Sequence, residues 1–109
     1  MRPRLQRRLV LERRIDTSDG GGGVHVGWIA VSPVWADVRP IAPRERRVGA
    51  ALGSRVSHRL LLRQVPEDSA CHPRPTDRLR EGGRIFVIHG QAQGPEGFLT
   101  IWADEEATP

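Results

Sequence analysis

The stretch VHVGWIAVSPVWADVRPI, residues 24–41, decides how the chain is read. β-Branched and aromatic residues dominate it, which suits a strand. It is long for one strand, however, and it contains Pro33, which cannot donate to a ladder and marks an edge, a bend or a bulge. The stretch reads as two collinear strand halves. Its apolar character stops at Ile41, and APRERRVGAALGS, residues 42–54, opens with a burst of arginine at Arg44, Arg46 and Arg47. Pro43 near the start of that segment and Gly53 near its end leave a short helix and an irregular excursion both open.

Working outward, LQRRLVLERRI at residues 5–15 places Leu5, Leu9, Leu11 and Ile15 on one parity and Arg8, Glu12 and Arg14 on the other. That is the pattern of a half-buried strand, with a helix as the competing reading because Leu5, Leu9 and Glu12 also fall at helical spacings. DTSDGGGG, residues 16–23, breaks either element, since consecutive glycines are costly to order, and predicts a flexible hairpin tip. RVSHRLLLRQV, residues 55–65, alternates Val56, His58, Leu60 and Leu62 with Arg59, Leu61 and Arg63, a strand. PEDSACHPRPTDRLREGG, residues 66–83, is a Pro-rich loop with room for a short extended piece around Arg78 and Leu79. RIFVIHGQAQ and GFLTIWADEE are two strands joined through GPEG, a hairpin. About five strands result, with an excursion or short helix between the second and third, which predicts an all-β fold: a small antiparallel β-barrel.

The 109 residues suffice for one domain, with flexible ends expected at about 1–4 and 106–109. The candidate core is Trp28, Trp35, Phe86, Ile88 and Trp102, because Tyr is absent and large packing volume is scarce. A core that thin makes assembly with partners a natural source of further burial. All 17 basic residues are Arg. Residues 1–14 hold six of them against Glu12, a net of +5, while the other 95 residues carry a net of −1. The basic character is therefore local to the first segment and to the Arg44, Arg46 and Arg47 cluster, rather than spread over a nucleic-acid-binding face. Cys71 is the only cysteine, so no intrachain disulfide forms and a cytosolic setting fits. The first residues lack the apolar run of a signal peptide, and no apolar run is long enough to span a membrane.

Catalytic motifs are not found. Cys71 and His72, with His25, His58 and His89, lack metal-site spacing, so no metal and no cofactor is expected. The glycine run lacks the lysine of a phosphate loop, no serine sits in a nucleophile elbow, and the carboxylates of ADEEATP read as a solvated tail. Base stacking on the tryptophans is the alternative to their packing in the core, and would make this a small nucleic-acid-binding barrel. An enzyme accessory domain is a further alternative.

The succession of pieces resembles a known family. An Asp-Gly-Gly loop (Asp19, Gly20, Gly21) is followed by Trp28, then VWADVRP (Val34–Pro40) and Arg44-Glu45. HRLLLR (His58–Arg63), DRL (Asp77–Leu79), GRIFVI (Gly83–Ile88) and a final run from Leu99 to Glu105 come next, in an order similar to that of the phage head-tail joining proteins. These are the head-closure, or stopper, proteins of long-tailed phages and of phage-derived gene transfer agents. Two places depart from the pattern: the hairpin GQAQGPEGF is without the charged residues the family often places before its last strand, and the loop carrying Cys71 is Pro-rich. The resemblance implies a non-enzymatic β-barrel that assembles as a ring in the particle neck. Its implied partners are a portal-proximal connector, a tail terminator or tail tube protein, further copies of itself, and DNA passing non-specifically through the channel. It further implies cytoplasmic assembly before residence in the virion, with no membrane. By the same analogy Trp35 belongs to the barrel wall, and the segment carrying Arg44, Arg46 and Arg47 leaves it toward a neighbour or the channel.

Overall fold

A computed structural model describes residues 4–41 and 56–106. Among the described residues six strands run in chain order: β1 (Arg7–Ser18), β2 (Val24–Pro40), β3 (Val56–Arg63), β4 (Arg78–Glu81), β5 (Arg84–Gln93) and β6 (Phe98–Glu105). Every pairing is antiparallel, and the spatial order β1-β2-β3-β6-β5-β4 closes into a barrel. The expected all-β barrel is therefore present, with one strand more than expected. That strand is β4, at the place where a short extended piece was expected around Arg78 and Leu79 within the Pro-rich loop. Four residues suffice because Leu79 needs only to turn inward between Leu11 and Phe86 to close the ring. The first segment is a strand rather than a helix. The expected excursion, with Arg44, Arg46 and Arg47, lies outside the described residues.

Period-two alternation builds the core. Leu9 and Leu11 of β1, Ala36 of β2, Leu60 and Leu62 of β3, and Leu79 of β4 point inward. Phe86 and Ile88 of β5 and Leu99, Ile101 and Ala103 of β6 complete the interior. The register places these side by side: Leu60 opposite Ile101, Leu62 opposite both Leu99 and Ala36, and Leu79 opposite Phe86. Leucine thus supplies much of the volume that the sequence assigned to tryptophan. His58 shares this inner parity and packs its ring edge-on to Phe86, with centroids 5.1 Å apart.

β2 is one continuous strand, not two halves. Its bulge falls at Val31, since Leu11 pairs with Ser32 and Glu12 with Ala30. Pro33 still pairs with Val10 of β1, but on the other side the ladder to β3 begins only at Ala36, so the proline occupies an edge where no N–H is needed.

The strand lengths have a large consequence. β1 meets β4 only from Val10 to Glu12, and β2 meets β3 only from Ala36 to Pro40, yet β1 and β2 pair with each other out to Ser18 and Val24. Beyond Glu12 and Ala30 the two strands leave the barrel as a ribbon roughly 20 Å long at ~3.3 Å per residue, within a molecule 52 Å in its longest extent. At the tip, the Asp19 carboxylate accepts hydrogen bonds from the N–H groups of Gly21 (2.7 Å) and Gly23 (2.9 Å). Gly20 and Gly22 take φ of 81° and 87°, which side chains with a Cβ rarely adopt.

Candidate functional site

The root of the ribbon is clamped on both faces. On the outer face, Glu12 is 7% exposed and accepts hydrogen bonds from Nε of Arg78 (2.7 Å) and Nε of Arg80 (2.8 Å). Burial pushes the Glu12 carboxyl up, but the guanidiniums of Arg80 and Arg78 outweigh it and hold the group below the ordinary carboxylate range. Arg78 also lies over the Trp28 ring at 4.1 Å, a cation–π contact that fastens the ribbon to β4. On the inner face, Arg13 reaches Asp77 through Nε (3.1 Å) and a terminal nitrogen (2.9 Å), and donates to the carbonyls of Ala70 and His72. Asp77 is fully buried and also accepts the N–H of Arg74. The loop after β3 is thereby tied to the ribbon.

Past this root the ribbon is exposed, and apolar side chains alternate there with charged and polar ones. Val24, Val26 and Ile29 expose 62%, 50% and 47% of their surface. Pairing puts Val24 opposite Ser18 and Val26 opposite Asp16 on one face, with Ile29 and Ile15 on the other.

Beside the barrel end of β2 lies a groove of about 460 Å³, walled by Leu5, Pro33, Val34, Trp35 and Val65 and reached by Arg63 and Cys71. It lies where β2 has run past the end of β3. Trp35 exposes 53% of its surface there, so its assignment to the core is corrected. Ala36 points inward, and its neighbour Trp35 must therefore point out, opposite Arg8. Trp28 and Trp102 also take the outward parity and are half-buried, Trp28 under Arg78 and Trp102 against Gly90. They are corrected in the same way, from core to wall. Phe86 and Ile88 are buried in the barrel interior.

The outer face of β2 and β3 is rich in arginine. Arg39 stands directly opposite Arg59, an arrangement of like charges that disfavours the sheet unless an anion or acid lies nearby. Asp37 answers Arg39 at 3.2 Å, and a hollow of about 430 Å³ opens between them, Leu61 and Trp102. Among the described residues no three His, Cys, Asp or Glu side chains are grouped to hold a metal ion. The candidate cluster Arg44, Arg46 and Arg47 lies outside the described residues. The sequence reading missed the ribbon and the groove, although the excess length of residues 24–41 over every other strand was a signal for both.

The family model for phage head completion proteins matches residues 1–106. A chain from the virion of a native gene transfer agent particle is 39% identical, with a TM-score of 0.75, over 97% of this chain and 98% of that one. The solution structure of a protein from Shigella flexneri 2a shares the fold at 20% identity and a TM-score of 0.68, over 97% and 96% of the two chains. Comparison with curated proteins gives no match.

Proposed function

The chain belongs to the phage head completion protein family, and from that premise we propose that it forms a ring in the neck of a phage-like particle. The ring lies between the portal-side connector and the tail, closes the head, couples it to the tail, and lets DNA pass through its centre. As a member of that family it is a structural, non-enzymatic component of the head-tail connection. The observation that carries the reading is the near full-length likeness to a chain of a gene transfer agent virion. The physical form supports it, because a small rigid barrel with a projecting ribbon that exposes apolar side chains is suited to holding neighbours rather than to turning over a substrate. Assembly in the bacterial cytoplasm, followed by residence in the particle, goes with this role.

Three contacts follow as parts of the proposal: the portal-side connector, the tail terminator or tail tube, and further copies of the chain. The segment bearing Arg44, Arg46 and Arg47 would face the channel or the adjoining ring. Deleting the gene tests the whole reading. Filled heads without tails, or heads that leak their DNA, are expected, and normal tailed particles would overturn it.

A second reading is favoured by one observation: Trp35 is exposed between Arg8 and Arg63, which is how a barrel that stacks nucleic-acid bases presents its surface. The two readings part on the isolated chain. Tight, salt-dependent binding to free single-stranded DNA would support the second. Co-purification with portal and tail proteins, without such binding, supports the neck.

A further inference from the structure

A ring component must hold its neighbours, and two unlike surfaces of this chain fit each other. We infer that the ribbon of one copy seats its Val24 and Val26 face in the groove beside Trp35 of the next copy, a head-to-tail contact repeated around the ring. The inference rests on the ring reading above and names the surfaces that make it.

Apolar exposure is the first support. Val24 and Val26 lie on one face of the ribbon and expose 62% and 50% of their surface, and Trp35 exposes 53% at the groove. The groove is walled by Leu5, Pro33, Val34 and Val65, so its lining is aliphatic except at the rim. Paired apolar surfaces of this kind are covered in an assembly.

Charge is the second. The ribbon face carries Asp16 opposite Val26, ion-paired at 2.8 Å with Arg14 of the same face, and Asp19 at the tip accepts the N–H groups of Gly21 and Gly23. Arg8, opposite Trp35, and Arg63, at the groove, are both exposed, and neither forms an ion pair with a described acid. Arg14 and Asp16 offset each other, so Asp19 gives the ribbon tip its negative charge, and a tip of that sign is drawn to the basic groove rim rather than to another tip.

Geometry supplies the third. Val26 and Pro33 belong to the same continuous strand, seven residues and roughly 23 Å apart at ~3.3 Å per residue, so a ribbon cannot fold back into its own groove. The occupant must come from another molecule. Because ribbon and groove are different surfaces, each copy uses one on each side, a heterologous contact of the kind that builds a ring where its rotation closes. A single ribbon in a single groove is a small contact. The isolated chain is accordingly expected to be monomeric, and to close into rings where a neighbouring ring gathers many copies.

The sole cysteine, Cys71, borders the groove and provides the test. Particles are assembled with Val26→Cys, and separately Val24→Cys, in place of the wild-type chain, then oxidised mildly and analysed by non-reducing electrophoresis and mass spectrometry. The inference expects a peptide linking position 26 or 24 to Cys71 and a ladder at multiples of 12.1 kDa, both lost when Cys71→Ser is added. Three results overturn it: links between two ribbon cysteines, links to another particle protein, or no link to Cys71 from either variant in particles that contain the chain. Normal tailed particles that lack the chain altogether would instead overturn the neck reading itself.

Discussion

Arg13 and Asp77 form an ion pair whose acidic end is fully buried: two guanidinium nitrogens lie 2.9 and 3.1 Å from a carboxylate with no exposed side-chain surface. Removing one partner of such a pair leaves a charge stranded in low dielectric, at a typical cost of ~3–5 kcal/mol. Arg13→Ala is therefore expected to lower stability by about that much, a large share of the ~5–15 kcal/mol a small domain has. It also releases the carbonyls of Ala70 and His72, so proteolysis should begin in the loop after β3. Urea unfolding and limited proteolysis read both effects. A midpoint equal to wild type would show that the pair does not fasten the ribbon.

Trp35→Ala is expected to behave differently from a core truncation. The side chain is 53% exposed and faces outward, so the loss should stay within about 0.5 kcal/mol. Phe86→Ala, which empties the barrel interior, should cost ~3–5 kcal/mol. Thermal melts of the two variants compare them directly. A large loss for Trp35→Ala would place that ring inside the barrel.

The parity of Trp35 was legible in the sequence. Val34, Ala36 and Val38 alternate with Trp35, Asp37 and Arg39, so the tryptophan shares its face with two charged residues. The expectation of a buried tryptophan rested on size rather than period, since a chain without tyrosine has few large side chains; leucines from β1, β3, β4 and β6 fill that space instead. β3 was read correctly because His58, Leu60 and Leu62 alternate cleanly with two arginines. The ribbon was harder to see. It exists because β3 and β4 stop short of the ends of β1 and β2, and relative strand length is a property of the whole sheet that no local window contains. The pairing of Glu12 with Arg78 and Arg80 likewise joins residues far apart in the chain, which charge counting along a segment does not reveal.

Acid should weaken the fold through a small set of carboxylates. Burial opposes ionisation of Glu12, but Arg80 and Arg78 prevail, and its folded pKa lies below the ordinary 4.5. Arg7 depresses Glu81 and Arg84 depresses Glu105, each against the opposing effect of burial. Where the unfolded chain binds protons that the folded one does not, stability rises with pH. The contribution of these groups is thus fully present above the unfolded value near 4.5 and is lost as pH falls through the depressed folded values. Glu12→Gln should be less stable than wild type at neutral pH, with the difference shrinking on acidification. Urea titrations at several pH values measure it, and a difference that grows toward low pH would reverse the sign of the argument.

The cluster Arg44, Arg46 and Arg47 gives the sharpest test of the proposed channel. Changing all three to Glu moves the formal charge by −6, from +4 to −2. If the segment were an ordinary solvated loop, surface substitutions would shift stability by only a few tenths of a kcal/mol and assembly would be normal. If it lines a channel or meets an adjoining ring, the fold survives but every copy turns repulsive charge toward phosphates or acidic partners. In a confined space, salt screens such charges poorly. The effect multiplies with the number of copies, so loss of DNA retention or of tail joining should be near complete rather than graded. Particle yield, DNA content and tail attachment are measured with the triple variant supplied in place of wild type, alongside a melt of the purified chain. An unchanged melt with empty or tailless particles is the expected result. Filled, tailed and transfer-competent particles at the normal level would remove this segment from the channel.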